Sequence, residues 1–214
     1  MTQLAALLLA DGRFPAGGHA HSGGLEEAVT TGRVHDVESL GSFVGGRLAT
    51  AGRVAAGLAA VACAGRWPVD ALDAEAGARM ASPAVRAASL RQGRQLVRAA
   101  SHAWPIRPVT VHHAVAVGLV AAAAGLGAVD AARWAAYDAV MAPATAAVRL
   151  LGLDPFEVAA RVAALGPAID EVAAEAAAFA AGDAPVEDLP AHSAPWLDLG
   201  AEVHALREVR LFAS

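Results

Sequence analysis

The sequence predicts an all-α fold, a single-domain helical bundle of about eight to ten helices across residues 1–214. Three observations carry this. Apolar residues recur with helical period from end to end, and no run alternates as a strand would. Hydrophobic residues make up 56%, high for a soluble protein, and most of that excess is alanine, the strongest helix former. Serine, aspartate, proline and glycine stand where helix ends need them.

Residues 2–10 read as a short apolar helix before Asp11-Gly12. The stretch RFPAGGHAHSGG, residues 13–24, is a glycine-rich loop, and Ser22 is placed to N-cap a helix carrying Leu25, Glu26, Glu27, Ala28 and Val29. Gly32 ends that helix. Asp36 caps the next, which gathers Leu40, Phe43, Val44 and Leu48 on one face. Its continuation to residue 64 contains Gly45, Gly46, Gly52 and Gly57 and is expected to bend or split.

Trp67-Pro68 breaks the pattern, and Ser82-Pro83 restarts it with serine as N-cap and proline at the first helical position. This helix runs to about residue 103 with Val85, Ser89, Gly93 and Leu96 along one stripe. Arg86, Arg91, Arg94 and Arg98 fall mostly off it. Trp104-Pro105 and Pro108 end it. Helices over 110–125 and 130–151 follow, the second with a kink expected at Pro143. Asp154 caps a short helix from Pro155, and Gly166-Pro167 separates it from an alanine-rich helix ending near Gly182. Residues 182–195 are polar and proline-rich, a loop. A last helix over 196–207 leads into a tail, residues 208–214.

Composition narrows the function classes. Net charge is -5, with no basic run or arginine stripe evident along the sequence, so nucleic acid is not an expected partner. The start lacks a basic region before its apolar run, which argues against a secretory signal. The most apolar stretch, residues 114–124, is shorter than the roughly 18 residues of a membrane span. No membrane association is expected, and the location expected is cytoplasmic. Cys63, the single cysteine, lies in an apolar run and reads as a buried, inert thiol.

Candidate sites are few. His19 and His21 share a face if the backbone is extended, which allows chelation, but no Cys/His or Glu/His set completes four ligands. Adjacent His112 and His113 diverge on a helix. No nucleophile elbow, HExxH, phosphate loop or dinucleotide fingerprint is present. Glu26 and Glu27 are neighbours on a helix and point apart, so no acid/base pair is expected. His204 with Glu202 and Glu208 reads as a solvated helix face. The sequence therefore assigns no catalytic residue and no metal ligand set. The ending Arg210-Leu211-Phe212 offers an interface-type anchor if exposed, or a terminus docked on the chain's own core.

In order and spacing, several stretches resemble the urease accessory protein UreF family. They are Phe14-Pro15-x-Gly17 with Ser22-x-Gly24-Leu25-Glu26-x-Ala28-Val29, then Ser82-Pro83-x-x-Arg86-x-x-Ser89-x-x-x-Gly93-x-x-Leu96. His113 with Gly118, Ala146-Ala147-Val148-Arg149-Leu150, and His204 with Arg210-Leu211-Phe212-x-Ser214 follow. The chain departs from the family pattern at His19, where an aromatic residue is usual, at Ala84, usually acidic, and at Gly152-Leu153-Asp154-Pro155.

The resemblance implies an all-helical homodimer that acts as a non-enzymatic chaperone of urease maturation. Such proteins bind the accessory protein UreD (also called UreH) and recruit the GTPase UreG to apo-urease for nickel insertion. It implies that His19, His21, Arg210, Leu211 and Phe212 meet partners and that the tail orders on binding. Pro15, Gly17, Ser22, Gly24, Glu26, Arg86 and Gly93 would shape the backbone. No stably bound cofactor is implied; nickel would be cargo in transit. The rival readings are a nickel carrier using His19 and His21, and a helical enzyme of unknown reaction.

Overall fold

The computed structural model describes residues 2–212, without the side chains of Thr2, Gln3 and His19. Every regular element among the described residues is helical. They are α1 (Thr2–Ala10), α2 (Leu25–Thr30), α3 (Val37–Arg47), α4 (Arg53–Ala64), α5 (Val69–Ala78) and α6 (Pro83–Ala100), then α7 (His113–Ala123), α8 (Ala128–Leu151), α9 (Pro155–Ala164), α10 (Gly166–Ala181) and α11 (Pro195–Ala205). Short 3-10 turns occupy Gly18–Ala20 and Val186–Asp188. The all-α prediction holds.

The caps follow the sequence reading closely. Asp36 accepts from Ser39 N at 2.8 Å while Ser39 Oγ receives the Asp36 amide at 3.1 Å, a reciprocal capping box that opens α3. Ser82 accepts from Val85 N at 3.1 Å ahead of Pro83, and Asp154 accepts from Phe156 N at 2.8 Å ahead of Pro155. Helix α5 is the element the sequence reading missed. Its alanines and acids give little amphipathic contrast, and only Leu72 and Ala76 are buried.

The expected bend between residues 37 and 64 takes a specific form. A π-turn at Leu48–Gly52 joins α3 to α4, so one 28-residue rod, Val37–Ala64, changes winding at its middle. By length and composition this rod, rather than residues 114–124, is the segment apolar enough to cross a membrane, yet 56% of its apolar window is buried inside the protein. It is a core helix here.

Helix α4 is that core's axis, packed by α7, α8 and α10. Its buried side chains are mostly alanine, which lets backbones approach closely but buries little area each. Close approach is strict at Gly118 of α7, where a Cβ would lie 2.3 Å from the Ala59 carbonyl oxygen and 2.6 Å from Ala62 Cβ. Gly93 of α6 meets the same constraint, 2.0 Å from the Val111 carbonyl oxygen. Cys63 is half-buried and donates to the Leu126 carbonyl at 3.4 Å; burial pushes its thiol up and keeps it protonated.

Pro143 lies inside α8, which continues as one helix through it. A proline at that position has no N–H for the carbonyl four residues back, Ala139. The vacancy is filled from another helix. Arg47 Nε, at the end of α3, donates to Ala139 O at 3.0 Å. Burial pushes the Arg47 guanidinium below its ordinary value, opposed by the nearby Asp138 carboxylate.

Gly118→Ala is expected to lower unfolding free energy by about 1–3 kcal/mol or more, because rigid backbone has to move. Urea denaturation followed by circular dichroism measures this; wild-type stability in the variant would contradict the α4–α7 contact.

Candidate functional site

The two ends of the chain meet at one carboxylate. The approach begins in the glycine-rich loop, where Phe14 N bonds Asp11 O at 2.8 Å and Pro15 O accepts from Gln95 Nε2 of α6 at 3.1 Å. Gly17 adopts a left-handed φ of 79° beside Gln95. The 3-10 turn Gly18–Ala20 follows and contains the His19 backbone.

Gly24 has a φ of 88°, and a Cβ there would sit 3.1 Å from Leu197 Cδ2 of α11. The turn therefore requires glycine, and the end of the Leu197 side chain would have to shift slightly for a Cβ. Ser22 is fully buried and caps differently from the expectation: α2 starts at Leu25 with Gly24 in the cap position, and Ser22 Oγ reaches past it to accept from Glu26 N at 3.3 Å.

This start directs Glu26 and Glu27 inward. Glu26 Oε2 lies 2.8 Å from His204 Nε2 of α11 and accepts from Phe212 N at 3.0 Å, while Oε1 accepts from Leu211 N at 2.8 Å. Burial pushes the Glu26 carboxyl up, but the Leu211 amide, the His204 imidazole and the Phe212 amide together hold it below its ordinary value. Glu27 pairs with both arms of Arg207, Nε at 2.6 Å and Nη2 at 2.8 Å, and that fork holds its carboxyl low as well.

Two sequence expectations change here, and the open choice for Phe212 is decided. His204 is 1% exposed and paired with Glu26, so it is not on a solvated face. Glu202 serves the start of α6 instead, accepting from Ser82 Oγ and from Ala84 N at 2.9 Å. Phe212 is buried beneath the Arg149 guanidinium, 4.6 Å from its ring centre, so the exposed Leu-Phe pair reduces to Leu211. Nothing in a single sequence tells Glu26 that its partners lie about 180 residues away.

The remaining predicted positions separate into scaffold and surface. Arg86 donates to the Met80 and Ala81 carbonyls and ties down the α5–α6 turn. Arg210 and Leu211 are exposed. The His19 side chain and Ser214 lie outside the described residues. His21 lines a cavity of about 230 Å³ with Arg47, His112, His113, Asp138 and His192. Burial pushes the His112 imidazole down, against the pull of Asp73. Among the described residues no three His, Cys, Asp or Glu side chains come together as a metal set.

Beyond the clamp, α11 turns an apolar edge outward. Trp196, Leu199, Val203 and Leu206 follow helical spacing and are all exposed, Leu206 at 86%. Val209 and Leu211 extend the edge into the tail. Arg33 stacks over Trp196 at 3.9 Å and holds its ring in place.

The family model for UreF matches residues 34–166. Relatives named urease accessory protein UreF align over all of this chain and all of their own length: 47% identical in a Mycobacterium species (strain JLS), 45% in Mycolicibacterium vanbaalenii and 40% in Mycobacterium tuberculosis. The chain belongs to the UreF family. The family model begins after the glycine loop and ends at the first residue of α10, so the Glu26 clamp and the α11 edge lie in the parts covered by the whole-length relatives. The chain's C-terminal tail folds back onto α2.

Glu26→Ala removes the acceptor for two amides and the His204 ring. Exchange of the Leu211 and Phe212 amides is expected to quicken by roughly ten- to a hundredfold, with α4 and α7 unchanged. Unchanged protection at these two amides would disprove the clamp. Since the folded Glu26 value lies below the ordinary 4.5, its stabilising contribution is complete above that pH and is lost as pH falls through the folded value. The same exchange measurement, stepped downward from pH 5, should show the tail released before the core opens.

Proposed function

We propose that this chain is a non-enzymatic chaperone of urease maturation. It acts in the cytoplasm as a homodimer, binds UreD (UreH), and with it recruits the GTPase UreG to apo-urease for nickel insertion. The membership in the UreF family and the whole-length likeness to proteins named for urease accessory work support this reading. The single structural observation that carries it is the exposed apolar edge of α11 running into Leu211 and Arg210. Large apolar side chains in register along one helix, ending at an arginine, match the make-up of protein interfaces.

The Glu26 clamp makes this edge a rigid platform. The resemblance implied a tail that orders on binding; here it is already held by the Leu211 and Phe212 amides, which avoids the loss of affinity that ordering a flexible tail would bring. His19 and His21 remain proposed partner contacts on the loop beside α6, and nickel is treated as cargo rather than a resident cofactor. The rival readings have less behind them. The buried Glu26–His204 pair has the composition of an acid/base dyad but no opening to a substrate, since His204 is enclosed. His21 contributes to a cavity, but not to a ligand set.

The deciding experiment is co-expression with UreD and UreG followed by pull-down. The intact chain should bring down both; failure with both partners folded would refute the proposal. Leu211→Asp is the sharper variant, because the clamp uses only the Leu211 amide. It should reduce capture of UreD roughly tenfold or more while leaving helical circular dichroism unchanged. Removal of residues 209–214 should do the same. Full capture by the Leu211→Asp chain would place the interface elsewhere.

A further inference from the structure

Helix α6 contains four arginines and no acidic residue. Arg91, Arg94 and Arg98 stand at i, i+3 and i+7, which places them on one face, and all three are exposed. The row corrects the sequence reading, which found no arginine stripe. It becomes visible only when α6 is set against the core and its outer face is known.

The row is unneutralised. From residue 76 to residue 129 the chain has six arginines and no Asp or Glu, although the whole chain has 21 acidic residues against 16 basic ones. Among the described residues, no ion pair reaches Arg91, Arg94 or Arg98, whereas several arginines elsewhere are tied to the fold. Arg66 donates to the Ala180 carbonyl at 3.2 Å, and Arg79 donates to the Pro190 and Leu189 carbonyls at 3.0 and 2.9 Å. Like charges three and four residues apart cost an isolated helix a few tenths of a kcal/mol per pair. The three α6 arginines bear that repulsion with no ion pair among the described residues in return.

Resting on the reading above, we propose that Arg91, Arg94 and Arg98 form a docking strip for a protein partner that presents a row of carboxylates. Seven helical residues span about 10 Å, a length that one acidic helix or strand edge covers. Each guanidinium offers a fork that fits a carboxylate with two parallel hydrogen bonds. The strip also adjoins the glycine-rich loop. Gln95, in the same arc of α6, holds Pro15 O, and the Phe14 ring lies 6.1 Å from Trp104 just past the end of the helix. A partner on the loop therefore meets the strip as one continuous surface.

A nucleic acid fits less well, because phosphates extending past this short row would meet a chain of net charge -5. A membrane surface fits less well too, because the exposed face of α6 has no large apolar residue to insert.

The test uses full-length chain with UreD and UreG, comparing wild type with the Arg91→Glu/Arg94→Glu/Arg98→Glu and Arg91→Gln/Arg94→Gln/Arg98→Gln variants. The glutamate triple is expected to weaken assembly roughly tenfold or more at physiological salt, and the glutamine triple to weaken it less. Wild-type assembly should weaken as salt rises from about 50 to about 300 mM, and the glutamine triple should lose most of that dependence. Should the glutamate triple misfold, as judged by circular dichroism, the glutamine triple alone carries the comparison. Wild-type affinity in the glutamine triple, with unchanged salt dependence, would overturn the strip and leave the UreF reading standing. Failure of the wild-type chain to assemble would overturn both. A 30-base-pair duplex or phosphatidylserine vesicles bound by wild type and not by the triples, with protein assembly intact, would overturn it in favour of a polyanion.

Discussion

The Glu26 carboxylate joins the first and last parts of the chain. It sits one residue into α2, where two left-handed glycines have turned the backbone inward, and its oxygens collect the His204 ring and the amides of Leu211 and Phe212. Burial alone would favour the neutral acid, but three donors reverse that balance and keep the charge. The rest of the proposed interface depends on this point. The clamp sets where α11 lies, and hence which of its side chains face water. It also sets the tail direction, so that Phe212 goes under Arg149 while Leu211 and Arg210 turn out.

An alanine-rich core places particular demands on the polar groups around it. Small side chains give each helix contact little buried area, so close approach at Gly118 and Gly93 and well-placed hydrogen bonds do more of the work. Arginine is used here as a staple for carbonyls that helices leave open. Arg47 takes the Ala139 carbonyl that Pro143 cannot serve, and Arg66 takes Ala180 near the end of α10. Arg79 gathers the loop around Leu189 and Pro190 onto α5. Each joins elements distant in sequence at the cost of ordering one long side chain.

Much of this was legible before any coordinates. Caps and breakers at Asp36, Ser82-Pro83, Asp154-Pro155 and Gly166-Pro167 act locally, so sequence spacing reads them directly. Helix α5 escaped because alanine blurs the contrast between faces that periodicity depends on. The site was half visible. The glycines of the loop and the arginine-aromatic tail are local patterns, and both marked themselves. Their meeting at Glu26 is not local, and a glutamate beside a glutamate on a helix reads only as two side chains that point apart. The same blindness applied to His204, whose burial depends entirely on α2.

The division between spent and unspent polar groups is the strongest argument for an adaptor. Inside the fold, carboxylates and guanidiniums are committed to closure: Glu26 and Glu27 hold the terminus, Glu202 caps α6, and Arg47, Arg66, Arg79 and Arg86 seal carbonyls. The Glu26 carboxyl, held low by its donors, is closed to a substrate by the tail it secures, and His112, pushed down by burial, lines the cavity beside His113 and Asp138. The uncommitted groups lie outside, as a row of arginines on α6 and an apolar edge on α11, each on a helix whose inner face is fixed. Helices whose backbone is already fixed lose little further backbone freedom when a partner covers their exposed side chains. Surfaces of that kind suit a partner.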